Sequence, residues 1–143
     1  MARVDFYQLA RDPAEALLPV LAEKTLGSGA RMSVAADDAG LRARLSEALW
    51  RREGFLAHGE AGAGDEDRQP ILLGAELSAA NGAHFAAIAD GRWRDAALGF
   101  DRAFYLFDDA TLDAARAAWR ALKPGGAELH YWRQEGRRWI EGP

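Results

Sequence analysis

An α/β sandwich built on a largely parallel sheet is the fold this sequence predicts, and three observations carry it. Short apolar runs alternate along the chain with longer amphipathic stretches, the pattern of strand–helix–strand units. Acids or a proline stand where the helical stretches begin, and glycines where they end. The 143 residues are 49% hydrophobic and 28% charged, which is globular composition and enough chain to bury a substantial core. One domain over residues 1–143 is expected.

Val4 to Leu9 alternates enough to read as the first strand. Asp12-Pro13-Ala14-Glu15 then supplies an N-cap, a proline at the first helical position and an acid three residues after the cap. Leu17, Leu18, Leu21 and Leu26 form a broad apolar face, and Gly27 and Gly29 close that helix. Pro19 either kinks it or marks its true start. Met32 to Ala36 reads as the second strand, with Asp37 or Asp38 capping a helix whose buried stripe is Leu41, Leu45, Ala48 and Leu49. Trp50 projects about 100° or more from that stripe, so it is a loop anchor or an exposed apolar contact. Residues 59–70 form a glycine-rich acidic loop. Ile71–Leu73 and Phe85–Ala89 are further strands, with Asn81-Gly82 a turn between them. Ala103–Phe107 is a strand, Asp108-Asp109 caps the last long helix, Pro124-Gly125-Gly126 ends it, and Glu128–Arg133 is a final strand.

Composition and motifs exclude several function classes. The formal net charge is −4, so no global field attracts nucleic acid and direct duplex binding is not expected. The absence of cysteine removes disulfides, thiolate catalysis and cysteine-ligated metal. The opening residues carry no apolar stretch long enough for a signal peptide, and no run reaches membrane-helix length, so a cytoplasmic protein is expected. Gly59, Gly62 and Gly64 imitate a phosphate loop, but Asp65, Glu66 and Asp67 have the wrong sign and no G-K-[ST] follows. His58, His84 and His130 lack metal-ligand spacing. The paired aspartates are explained by helix capping, and there is no G-x-S-x-G elbow. No cofactor, metal or catalytic group is therefore expected; an enzyme or nucleotide-binding protein with an unrecognised small-molecule site stays as the alternative.

The richest stretch is R-A-A-W-R-A-L-K-P-G-G, Arg116 to Gly126. On a helix, Leu112, Arg116, Trp119 and Lys123 fall within roughly 60° of arc, with Arg120 beside them. Ala114, Ala117, Ala118 and Ala121 fall opposite, where small side chains would let the helix back lie close on a sheet. An indole framed by three cations suits a short ligand that is both apolar and acidic. The same residues also fit a core tryptophan with a solvated rim of charge, and the helical projection leaves both readings open.

The chain as a whole resembles the chi subunit family of bacterial DNA polymerase III holoenzyme. The resemblance rests on V-D-F-Y-Q-L (residues 4–9), S-E-A-L-W followed by G-F-L-A-H (46–50 and 54–58), F-D-R-A-F-Y-L-F (100–107) and the Arg116–Gly126 stretch, in that order over nearly the full length. It implies a Rossmann-like three-layer sandwich that holds no nucleotide and catalyses nothing. It implies a clamp-loader accessory that grips the acidic, apolar C-terminal tail of single-stranded DNA-binding protein. The family's tail pocket maps onto Arg116, Trp119, Arg120 and Lys123, with Gly126 nearby; Trp119 stands where tyrosine is usual. Its surface for the small psi subunit maps onto Trp50, Phe55 and His58, where Ala57 replaces the usual proline. A third possibility, single-stranded DNA on Trp119 and its cations, is disfavoured by the net charge.

Overall fold

Caps and glycines place the elements. The computed structural model describes residues 2–54 and 56–142. Strand β1 (Arg3–Gln8) leads to helix α1 (Ala14–Gly27), strand β2 (Met32–Ala35) and helix α2 (Ala39–Arg51). Strands β3 (Gly59–Glu60), β4 (Ile71–Gly74), β5 (Phe85–Ile88) and β6 (Arg102–Phe107) follow. Helix α3 (Leu112–Leu122) and the hairpin strands β7 (Glu128–Glu135) and β8 (Arg138–Glu141) complete the chain.

The strands form one open sheet in the order β3-β4-β2-β5-β6-β1-β7-β8. Every pairing is parallel except β7 with β8. Alternation along β1 sends Tyr7 to one face and Val4 and Phe6 to the other. On the first face Leu17, Leu18 and Leu21 of α1 and Leu45 and Leu49 of α2 bury against the sheet. On the second, Ala115, Ala118 and Leu122 of α3 pack over Phe6, Tyr105 and Phe107. Helices on both faces make the three-layer sandwich, and the central strands read as continuous apolar runs because both faces are covered.

Several local expectations need correction. Pro13, not Asp12, is the N-cap of α1, with extended backbone and no side-chain cap; Asp12 instead accepts a hydrogen bond from Gln134 Nε2 at 2.7 Å. The helix runs through buried Pro19, whose missing N–H falls in the second turn and leaves only one helical bond unmade. Asp38 caps α2, its Oδ2 accepting from the Leu41 amide at 2.9 Å, while Asp37 pairs with Arg92. Trp50 projects away from the stripe as expected and is 47% exposed. Asp108 caps a short 3-10 turn before α3, exchanging hydrogen bonds with Thr111. The helix back is not the predicted alanine set: Ala115, Ala118 and Leu122 face the sheet, whereas Ala114, Ala117 and Ala121 are exposed. The final strand extends to Glu135 and turns at Gly136 (φ 62°) into β8, an unforeseen edge strand.

Candidate functional site

Helix α3 seats Ala115, Ala118 and Leu122 on the sheet, and along its flank lies a cleft of about 290 Å³. Leu112, Ala115, Arg116, Trp119 and Arg120 line it from the helix; Phe6, Phe107 and Tyr131 line it from β1, β6 and β7. Trp119 is half-buried and edge-on to Phe6, with ring centroids 5.1 Å apart, and to Tyr131 at 6.0 Å. Tyr131 in turn meets Phe107 at 5.9 Å and donates its hydroxyl to Gln8 Oε1. Burial pushes the Tyr131 phenol above its ordinary range, against the opposing charge of Arg116. The two readings of Trp119 thus merge: one edge belongs to the core and the rest walls an open cleft.

Charge frames that apolar space. Arg116 and Arg120 are exposed at its rim. Among the described residues neither forms an ion pair, and neither does Lys123. Lys123 and Gly126 (φ 81°) lie in the turn after the helix, outside the cleft's lining. The structure therefore brings together three of the five tail-site candidates. Sequence reasoning missed Phe6, Phe107 and Tyr131, which come from other elements; the aromatic density of β1, β6 and β7 was the available signal. At about 290 Å³ the cleft sits at the small end of ligand pockets, which span roughly 300–1,000 Å³. That volume takes an apolar side chain, not a dinucleotide.

The second candidate group is less open. Trp50 lies over the His58 ring, centroids 4.4 Å apart. His58 is only 9% exposed, with Nε2 2.6 Å from Ser46 Oγ and Nδ1 2.8 Å from the Leu56 carbonyl. Its nitrogens are occupied, so it supports the indole from beneath. Phe55 lies outside the described residues.

A larger cavity, about 480 Å³, opens at the carboxyl ends of β1, β5 and β6, where open α/β sheets bind their ligands. Asp12, Glu15, Asp90 and Asp108 outnumber Arg11 and Arg44 in its lining, the wrong balance for phosphate. Beside it, Arg94 fills the crevice following β2, β4 and β5. All five of its N–H groups are engaged: two on Asp90, one on Glu76 and two on the Ala75 and Arg92 carbonyls, at 2.6–3.0 Å. Among the described residues no helix is long and apolar enough to cross a membrane, and no group of acids and histidines is arranged to hold a metal ion.

Comparison with curated proteins finds no match. Comparison with protein families matches residues 1–130 to DNA polymerase III chi subunit, HolC. With that match covering most of its length, the chain belongs to the DNA polymerase III chi subunit family, accessory subunits in DNA replication.

Proposed function

We propose that this protein is a non-catalytic adaptor linking the clamp loader of DNA polymerase III to single-stranded DNA-binding protein, and that the cleft under α3 receives that protein's acidic C-terminal tail. The observation that carries the reading is the pairing of an apolar cleft with two rim guanidinium groups that have no ion pair among the described residues, in a chain of net charge −4. A tail ending in a phenylalanine carboxylate presents one ring, one terminal charge and upstream acids. The ring enters the cleft that Trp119 and Tyr131 wall together with Leu112 and Phe107, Arg120 or Arg116 pairs the terminal carboxylate, and Lys123 adds charge at the helix end. Ordering the tail offsets much of the contact energy, so the affinity belongs on the order of micromolar.

An adaptor needs a second surface. Trp50 supplies it: a 47% exposed indole held on His58 is an interface anchor without a core role. Its partner in this reading is a psi-type clamp-loader subunit.

The test is a calorimetric titration with the C-terminal peptide of the same organism's single-stranded DNA-binding protein. Micromolar binding that weakens as salt rises is expected. No binding, or binding indifferent to salt, overturns the tail assignment. Trp50→Ala should abolish capture of the clamp-loader partner while leaving the peptide titration unchanged; equal loss of both would collapse two sites into one.

A further inference from the structure

We propose that the open face of the β7–β8 hairpin continues the cleft as a shelf, on which Arg138, with Arg133 and Ile140, takes the acidic residues preceding the apolar end of the same peptide. The proposal rests on the cleft reading given above.

Strand geometry sets the shelf. Tyr131 faces Trp119 and Phe107, so alternation puts Arg133 and Glu135 of β7 on the same side. The antiparallel register sets Ile140 opposite Arg133, and Arg138 opposite Glu135. Moving outward from the cleft, one therefore meets Tyr131, then Arg133 with Ile140, then Glu135 with Arg138. At about 3.4 Å per residue the path from Tyr131 to the last row is roughly 14 Å, the reach of about four extended peptide residues.

Two features make this face a receiving surface. Ile140 is half-buried yet belongs to neither hydrophobic cluster, leaving apolar area beyond the cleft's mouth. Arg133 pairs with Glu135, but Arg138 is exposed and has no ion pair among the described residues, so the rows carry one net positive charge. That charge has the same sign as Arg116 and Arg120 at the cleft's rim, and is complementary to an acidic peptide. The match to the family ends at residue 130, so the shelf's residues lie outside it. A nucleic-acid strand is the poorer fit, because Trp119 and Tyr131 are half-buried against the core and offer no open row of stacking faces.

The experiment compares two phenylalanine-terminated peptides, one with upstream acids and one with those acids replaced by their amides, on wild type, Arg138→Glu and Arg138→Ala. Thermal melts of both variants should match wild type, since the position is exposed. Arg138→Glu should weaken the acidic peptide about three- to tenfold and leave the amide peptide unchanged, with Arg138→Ala between. If wild type binds neither peptide, the cleft reading fails and the shelf with it. If wild type binds the acidic peptide and Arg138→Glu binds it equally well, the shelf alone fails. A single-stranded oligonucleotide that binds with the same sensitivity to Arg138→Glu would overturn the peptide assignment.

Discussion

Arg94 and Arg116 place the same guanidinium in two opposite settings. Arg94, its side chain 4% exposed, is ringed by Asp90, Glu76 and Asp37 and spends every donor inside the fold. Arg116 stands exposed beside an apolar cleft with no acid to pair it among the described residues. The first arrangement closes the crevice after β2 and β5, the place where a sheet of this kind usually holds a ligand. The second keeps both charge and apolar area available. Charge satisfied internally specifies structure, and charge left unpaired beside apolar surface is where a partner can add contacts.

The sharpest way to break this contrast is Arg94→Met. It fills the space but removes from Asp90, whose side chain is 13% exposed, its only guanidinium among the described residues. Asp90 then keeps just the Asp37 and Arg92 amides, and the Ala75 carbonyl is left without that donor. Removing one partner of a buried network costs about 3–5 kcal/mol. Urea denaturation should register a loss of that size, with peptide affinity unchanged for the fraction that stays folded. A loss below about 1 kcal/mol would mean that the network contributes little.

Trp119→Ala comes next. The ring's contacts with Phe6 and Tyr131 make a purely functional loss impossible: about 2 kcal/mol of stability should go, less than for a fully buried tryptophan. Peptide binding should fall by about 2 kcal/mol or more in addition. Trp119→Phe should retain most of both. If Trp119→Ala loses stability but binds normally, the indole is core and the cleft is not the peptide site.

How much of this was legible in the sequence follows from what each inference depends on. Parallel strands, the Asp38 and Asp108 caps and the surplus Trp50 were readable because they depend on local spacing, whereas the Asp12 cap was not, since Asp12 is taken by Gln134 from the far end of the chain. The cleft's helical wall, Leu112, Arg116 and Trp119, was readable for the same reason. Its floor was not, since Phe6, Phe107 and Tyr131 converge only once β1, β6 and β7 pair. The choice of Ala115, Ala118 and Leu122 as the buried back depends on how α3 rotates to seat Trp119, which a hydrophobic count cannot fix. Strand β8 was hidden because an edge strand protected by Arg137, Arg138 and Glu141 carries little alternating hydrophobicity. Arg94 gave little signal, because only Asp90 is near it in sequence and its other acids, Asp37 and Glu76, come from separate loops.

Acid titration separates the two regions by a smaller margin. Burial raises the Asp90 carboxyl, but hydrogen bonds from Arg94 and from the Asp37 and Arg92 amides outweigh it and hold it below the ordinary 3.8. Burial likewise opposes, and Arg3, Trp132 and Arg102 overcome, the shift at Asp5, which also ends below 3.8. A carboxyl lowered in the folded state contributes stability that is complete above about pH 4 and is lost as pH falls through the folded value. Wild type should therefore lose stability below pH 4. Arg94→Met should lose the share of the Asp90 dependence that Arg94 supplies, leaving the share of the two amides, and keep the Asp5 part. An unchanged acid profile in Arg94→Met would show that Asp90 does not depend on the arginine.

The smallest expected effect on stability is the most telling, and it belongs to the double variant Arg116→Gln, Arg120→Gln. Both side chains are exposed and neither holds an acid among the described residues, so folding should change by no more than about 0.5 kcal/mol. The apolar cleft, walled by Trp119, Phe6 and Tyr131, should persist. What disappears is the positive rim. Each exposed pairing with the peptide is worth about 0.2–1 kcal/mol, so losing two should weaken the acidic tail roughly tenfold and flatten its salt dependence. The residual, salt-independent affinity then measures the apolar half of the site. Urea melts and peptide titrations at two salt concentrations read both quantities on one preparation. If stability falls as far as in Arg94→Met, the two arginines are structural after all. If stability and affinity both stay at wild-type values, the unpaired charge on α3 is ordinary solvated surface and the tail must bind elsewhere.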